Sequence, residues 1–183
     1  GLSGLNEKRS LGKGEIIRLF LNLSKSDLKI YIDENNLPYV EDDTNLNNDF
    51  DRNFLRNEII PSLDRRWSKL SERAAFTSLT AKKKKLSLDF MLESTFKKEI
   101  YSGTIAREDF IDIPSFLIEE LIRLILRKKG VALPNQKVLS EIMNVFFLKK
   151  PSNKSYVEWS RKDGEQIGGK VFSVSNDIIF EQK

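Results

Sequence analysis

The stretch NDFDRNFLRNEIIPSLDRRW, residues 48–67, decides how the chain is read. Its spacing is helical, and it sets Arg52, Asn53, Arg56 and Asn57 together ahead of Pro61. Proline lacks an amide hydrogen and crowds the preceding turn, so the helix is expected to kink or restart near Ile60. Asp49 stands three residues before Arg52, but no carboxylate lies three or four positions from Arg56. Two arginines at i and i+4 repel by roughly a few tenths of a kcal/mol. Nothing local offsets that cost for Arg56, so its partner is expected outside the helix.

The whole chain sets the bounds. At 183 residues it is long enough for one large domain or two small ones, each with a core. It holds neither cysteine nor histidine, which excludes disulfides, thiolate catalysis, a Ser–His–Asp triad and a His-ligated zinc site. No apolar run is long enough to span a bilayer, and no signal peptide is visible. The chain opens on Gly1, which reads as a cut start. Net charge is +4 overall. Residues 1–67 carry 10 Lys/Arg against 12 Asp/Glu, whereas residues 68–183 carry 21 against 15. That asymmetry points to two modules, the second suited to a polyanion or simply carrying a soluble basic surface.

Upstream of the arginine helix, GLSGL reads as a loop and EIIRLFLNL (15–23) as a buried strand or loop entry. Ser24 or Ser26 then caps a helix, KSDLKIYIDENN, with Asp27 in its first turn, where the helix dipole favours a carboxylate. Asn35–Asn36 ends it, and the acidic loop LPYVEDDTNLNND follows. The three carboxylates of EDDTN (41–45) suit either a Mg²⁺ ion shared with phosphates or a turn capped by Asp and Asn. Spacing alone favours the turn.

Downstream, SKLSERAAFTSLTAKKKKLSLDFMLESTFKKEIY reads as one helix of about 30 residues, with no proline or glycine. Leu70, Ala74, Leu79, Leu86, Phe90 and Phe96 form its expected apolar side. PSFLIEELIRLILRKKG (114–130) has proline near its start and glycine at its end. LPNQKVLSEIMNVFFLKK repeats that start at Pro134, with Val138, Leu139, Ile142 and Phe146 as its core face. The tail changes to period two, with turns expected at Asp163–Gly164, Gly168–Gly169 and Asn176–Asp177 in a small antiparallel sheet. The lysines of AKKKK (81–85) read as a solvated face or as phosphate contacts. Lys128–Lys129 and Lys149–Lys150 fall at helix C-termini, where they complement the dipole. Phe90, Phe116, Phe146 and Phe147 read as core, and Trp67 and Trp159 as more open aromatics.

The segment from Glu15 to Trp67 resembles the tRNA(Ile)-lysidine synthetases. That family shows I-I-R-P-L-L, then R-x-E-L-x-x-Y, then E-D-x-S/T-N, then D-R-N-x-x-R-x-x-x-x-P-x-L. Here these read IIRLFL, KSDLKIY, EDDTN and DRNFLRNEIIPSL, in the same order and at matching spacings. GLSGL is similar to the end of the family's glycine-rich R-G-S/T-G-L-x-G-L loop. The likeness of residues 68–183 to the family's first C-terminal domain is one of length and pattern.

The resemblance implies an α+β, predominantly α chain. Residues 1–67 would be the C-terminal part of an ATP-pyrophosphatase (PP-loop) domain, and residues 68–183 a helical tRNA-binding domain with a small β element. The implied reaction adenylates the wobble cytidine of a tRNA(Ile) with a CAU anticodon. The side-chain amine of free lysine then displaces AMP, and codon reading moves from AUG to AUA. On this resemblance Arg18, Arg52 and Arg56 meet ATP phosphate or tRNA backbone, and Asn53 holds the loop or a substrate carbonyl. Asp27, at the family's glutamate position, helps bind lysine, while Asp42 and Asn45 shape the pocket wall. Lys82, Lys83, Lys84, Lys85, Lys149 and Lys150 are the expected tRNA contacts.

The implied setting is cytoplasmic and without a membrane; a homodimer is one option, and the sequence leaves the oligomeric state open. Leu19 replaces the family's proline, and Asp27 is shorter than glutamate. The S-G-G-x-D-S phosphate loop and the arginine ahead of GLSGL occur nowhere in the chain, and the family's second C-terminal domain is not included. ATP and Mg²⁺ are therefore expected to be held mainly by an absent N-terminal part, and the chain alone to be inactive. A non-catalytic RNA-binding scaffold and a helical protein-interaction module are the alternatives.

Overall fold

The computed structural model describes residues 4–11, 14–21, 23–152, 154–160 and 167–183. The chain divides into two compact units, Gly1–Lys85 and Leu86–Lys183.

The first unit opens with an antiparallel hairpin, β1 (Lys8–Leu11) and β2 (Gly14–Ile17), in which Lys8 faces Ile17. Of the two readings of residues 15–23, a buried strand or a loop entry, the structure fits the second. β2 stops at Ile17, and Ile17, Leu19 and Phe20 are exposed. Among the described residues its strand partner is the short strand KRSL, in which Leu11 is the single apolar residue.

Helix α1 (Lys25–Glu34) begins at Ser24 and ends at Asn35, as the sequence indicates. A 3₁₀ turn over Asp43–Leu46 leads into the arginine segment. That segment is α2 (Asp51–Phe54), a π turn (Leu55–Ile59) and α3 (Ile60–Arg66), with Pro61 in the first turn of α3. The restart at Ile60 is thus observed, and the preceding i→i+5 turn accommodates it.

α4 (Leu70–Thr95) is the long helix. Its start is capped by Asp64, which accepts from the Ser71 amide at 3.1 Å and from the Ser71 hydroxyl at 2.8 Å. The single helix expected through Tyr101 instead breaks at Phe96, and α5 (Lys97–Ser102) follows. The expected apolar side is also corrected. Leu79, Leu86 and Phe90 are exposed, whereas Leu88, Leu92 and Phe96 face the core of the second unit, at i, i+4 and i+8.

In the second unit, α6 (Ser115–Lys128) is the central core helix. Ile118, Leu121, Ile122, Ile125 and Leu126 are buried on it, following an amphipathic 3.6 period. It ends before Gly130, whose φ of +68° is left-handed, as a helix stop requires. α7 (Gln136–Ile142) is capped by the Asn135 side chain and continues into a π turn over Met143–Leu148. Leu139, Ile142 and Phe146 are buried as expected, and Val138 packs at the margin.

A four-stranded antiparallel sheet in the order β3–β6–β5–β4 packs with these helices. Its strands are β3 (Thr104–Ala106), β4 (Tyr156–Trp159), β5 (Gly169–Val174) and β6 (Asp177–Gln182). The Ser175–Asn176 turn joins β5 to β6, one residue earlier than the sequence suggests. Gly168–Gly169 is not a turn: Gly169 pairs with Trp159 inside the sheet, and a side-chain carbon there would overlap the Trp159 ring. Asp163–Gly164 lies outside the described residues. Two further aromatic readings are corrected. Phe90 and Phe116 are exposed, and Trp159 is buried, its indole donating to the Ala132 carbonyl at 2.6 Å.

Candidate phosphate and substrate site on the arginine segment

The asparagines of residues 48–67 explain half of the arrangement that opened the reading. Asn53 is the one buried residue among those described in the first unit. Its Nδ2 donates to the Thr44 and Asn47 carbonyls, each at 2.8 Å. Asn57 Nδ2 donates to the Asn45 carbonyl at 3.1 Å and to Asn48 Oδ1 at 3.0 Å. Asn48 in turn donates to Glu58 at 3.3 Å. The helical segment therefore grips the acidic turn through side-chain amides. These bonds give the Asn45 and Asn47 carbonyls a donor and add a second one to the Thr44 carbonyl, which already accepts from the Asn47 amide at 3.2 Å.

Arg52 and Arg56 stay exposed, and among the described residues neither has an ion pair or a side-chain hydrogen bond. Two guanidiniums a turn apart, held on a pinned helix, match the fork geometry that phosphate oxygens accept.

The acidic turn carries its own capping. Asp42 Oδ1 accepts from the Thr44 amide at 2.9 Å and from the Thr44 hydroxyl at 2.7 Å. The hydroxyl bond, then the amide bond, hold its carboxyl below the ordinary range. Asn45 Nδ2 donates to the Asp42 carbonyl at 3.1 Å. Asp42 and Asn45 also line a cavity of about 240 Å³ with Lys25, Tyr39, Glu41 and Asp43. Mg²⁺ takes one or two carboxylates beside substrate phosphates, and Glu41, Asp42 and Asp43 are the exposed carboxylates of this turn. Asp42 is committed to Thr44, and among the described residues no group of three His, Cys, Asp or Glu is gathered to hold a metal.

Asp27 belongs to a reciprocal cap rather than to this cavity. It accepts from the Ser24 amide at 3.0 Å and the Ser24 hydroxyl at 2.6 Å, and its own amide donates to Ser24 Oγ at 3.1 Å. The Ser24 hydroxyl, then the Ser24 amide, lower its pKa. Arg18 Nη1 donates to the Asn6 carbonyl at 3.0 Å, tying the end of β2 to the start of the hairpin. Asp42, Asn45 and Asn53 are thus joined by hydrogen bonds. Among the described residues no bond links Arg18 or Asp27 to them.

Lys82 to Lys85 lie along α4, where Lys82 is half-buried and the other three are exposed. Lys149 and Lys150 are exposed just after the π turn that follows α7. Sequence reasoning gave Asn57 no role, because an exposed asparagine on a helix carries no signal of the loop it bonds. It also missed a cavity of about 590 Å³ in the second unit, lined by Arg123, Leu133, Asn135, Glu158, Trp159 and Lys183. Lys183 pairs with Glu158 at 3.0 Å, and Arg123 stands 3.7 Å from Glu120.

Comparison with known proteins bears on this site. A family model described as a PP-loop domain matches residues 1–63, which include the acidic turn and the arginine segment as far as Leu63. The tRNA(Ile)-lysidine synthase of Coxiella burnetii is 37% identical over 150 residues, covering 79% of this chain and 32% of that protein. Those of two Buchnera aphidicola subspecies are similar. The Acyrthosiphon pisum form is 33% identical over 75% of this chain and 31% of that protein, and the Schizaphis graminum form 32% over 84% and 35%. The chain spans about a third of the length of the curated relatives it matches. With its four ordered motifs and this breadth of match, the chain belongs to the tRNA(Ile)-lysidine synthase family.

Proposed function

We propose that the chain is part of an ATP-dependent ligase that joins lysine to C2 of the wobble cytidine of a tRNA(Ile) with a CAU anticodon. ATP would supply the activation of the base, with AMP and diphosphate released. Residues 1–67 form part of the catalytic domain and residues 68–183 a tRNA-binding domain. The observation that carries the reading is the exposed Arg52–Arg56 pair on a segment fixed by Asn53, within residues matched by a PP-loop domain.

Preorganised guanidiniums stabilise phosphate charge without rearranging as it develops, and Arg52 and Arg56 act in that way. Arg18 contributes a further positive group near the hairpin. Asp42 and Asn45 wall the cavity beside the acidic turn. Asp27 stays ionised through its Ser24 bonds and offers a fixed negative charge for the amine of lysine. The nucleotide is shared between residues 1–63 and a phosphate loop that this chain does not contain. No step is assigned to Mg²⁺ through the residues described here. The exposed lysines of α4 and Lys149–Lys150 grip RNA phosphates, with discrimination coming from shape and single-stranded bases.

The test is binding of this chain to a tRNA(Ile) transcript with a CAU anticodon, beside the methionine tRNA sharing that anticodon, across a salt series. Preference for the isoleucine tRNA, with affinity falling as salt rises, is expected. Equal binding to both would reduce the chain to a general polyanion surface. Binding to neither would overturn the reading.

A further inference from the structure

We propose that Asn57 is a positioning residue: with Asn53 it locks the acidic turn to the arginine segment, so that Arg52 and Arg56 meet a phosphate group in fixed orientation. The inference rests on the phosphate role given above to those arginines. Position 57 falls on an unspecified place in D-R-N-x-x-R-x-x-x-x-P-x-L, so the motif itself gives no role to this asparagine.

A single anchor at Asn53 would fix where the turn touches the helix but leave it free to pivot. Asn57 supplies a second anchor four residues on, about 5–6 Å away. Each Nδ2 carries two protons, and in both residues the two acceptors lie on the turn and its continuation. Those acceptors are the Thr44 and Asn47 carbonyls for Asn53, and the Asn45 carbonyl and Asn48 Oδ1 for Asn57. Two anchors with four bonds remove the pivot. The π turn Leu55–Ile59 contains Asn57 and also Arg56. Such wide turns occur mostly singly and often at functional sites.

Because Arg52 directly precedes Asn53 and Arg56 directly precedes Asn57, each guanidinium springs from a backbone position next to an anchored one. Side chains preorganised in this way lose less freedom on binding an oxyanion. The ligand chemistry is a phosphate group, whether from a nucleotide or from an RNA backbone.

The experiment follows the arginine Nε–Hε resonances of the 183-residue chain by NMR. Inorganic pyrophosphate is titrated in one arm and a short single-stranded RNA in the other. In the unaltered chain the Arg52 and Arg56 signals are expected to shift, and the tighter arm names the phosphate source. Asn57→Leu removes both donors without adding charge. It should weaken that affinity by about tenfold and speed amide exchange over residues 42–48, with the thermal midpoint of the second unit unchanged. Asn57→Gln, which keeps the donors, should restore part of the affinity. Undiminished affinity in Asn57→Leu would overturn the inference while leaving the phosphate reading standing. If neither probe moves the two signals in the unaltered chain, the phosphate reading itself fails and the inference with it.

Discussion

The two units are built by different means. In the second, twenty-one of the described residues are buried hydrophobics, among them Ile122, Phe146 and Phe180 with no exposure at all. In the first, among the described residues, only Asn53 is buried, and Val40, Leu19 and Leu46 are 94%, 80% and 77% exposed. One unit is therefore organised by the removal of apolar surface from water, which is non-directional and large. The other is organised by caps and side-chain amides, which are directional and individually small. The contrast teaches that within this chain the acidic turn and the arginine segment are held by directional bonds, whereas the second unit is held by a core of its own.

Five substitutions test that contrast. Phe146→Ala should cost the second unit about 3–5 kcal/mol in denaturant unfolding, because it empties a fully buried site. Val40→Ala in the first unit should stay within about 0.5 kcal/mol. Equal losses would erase the distinction.

Next in size is Trp159→Phe. It removes the indole donor from the buried Ala132 carbonyl and should cost about 1–3 kcal/mol by the same measurement.

Asn53→Ala should act locally. The Asn47 carbonyl loses its donor and the Thr44 carbonyl keeps only the Asn47 amide, at about 1–2 kcal/mol, and amide exchange should quicken over residues 42–48 but not in the second unit. Exchange that quickened in both units would mean that the turn supports more than its own segment.

The smallest effect concerns acid. Asp27 and Asp42 both have lowered pKa values in the folded chain. Their contribution is therefore present above the unfolded carboxylate value, near 4, and disappears as pH falls through the depressed folded values. Helicity of α1 followed by NMR should drop in that acid window, and Asp27→Asn should remove the pH dependence. An unchanged acid transition in Asp27→Asn would assign it to other carboxylates.

What the sequence made legible follows the same division. Helix ends were readable wherever one residue decides them: Ser24 with Asp27 for α1, Pro61 for the restart, Gly130 for the end of α6. The core faces of α6 and α7 were readable because burial there imposes a period. The face of α4 was not, since Leu86 and Phe90 have the same spacing as Leu88 and Leu92, and only tertiary packing chooses between them. β3 was missed because three residues carry too little alternation, and its partner lies more than seventy positions away. In the candidate site the motif pointed to Arg52, Asn53, Asp42 and Asn45. It could not separate Asp27's cap from a pocket role, because a first-turn acid suits both. Nor could it find Asn57, whose partners belong to a separate stretch of chain.

The strand order has a consequence for how the second unit comes to exist. β6 is the last strand in the chain, yet it lies between β3 and β5. During synthesis β3 therefore waits, unpaired, for nearly the whole remainder of the unit. Helices α5 to α7 can form from local contacts, but the sheet cannot be completed until residues 177–182 have left the ribosome. A nascent chain that has emerged only as far as β5 would present a helical cluster with two open strand edges, a ready substrate for chaperones or for self-association.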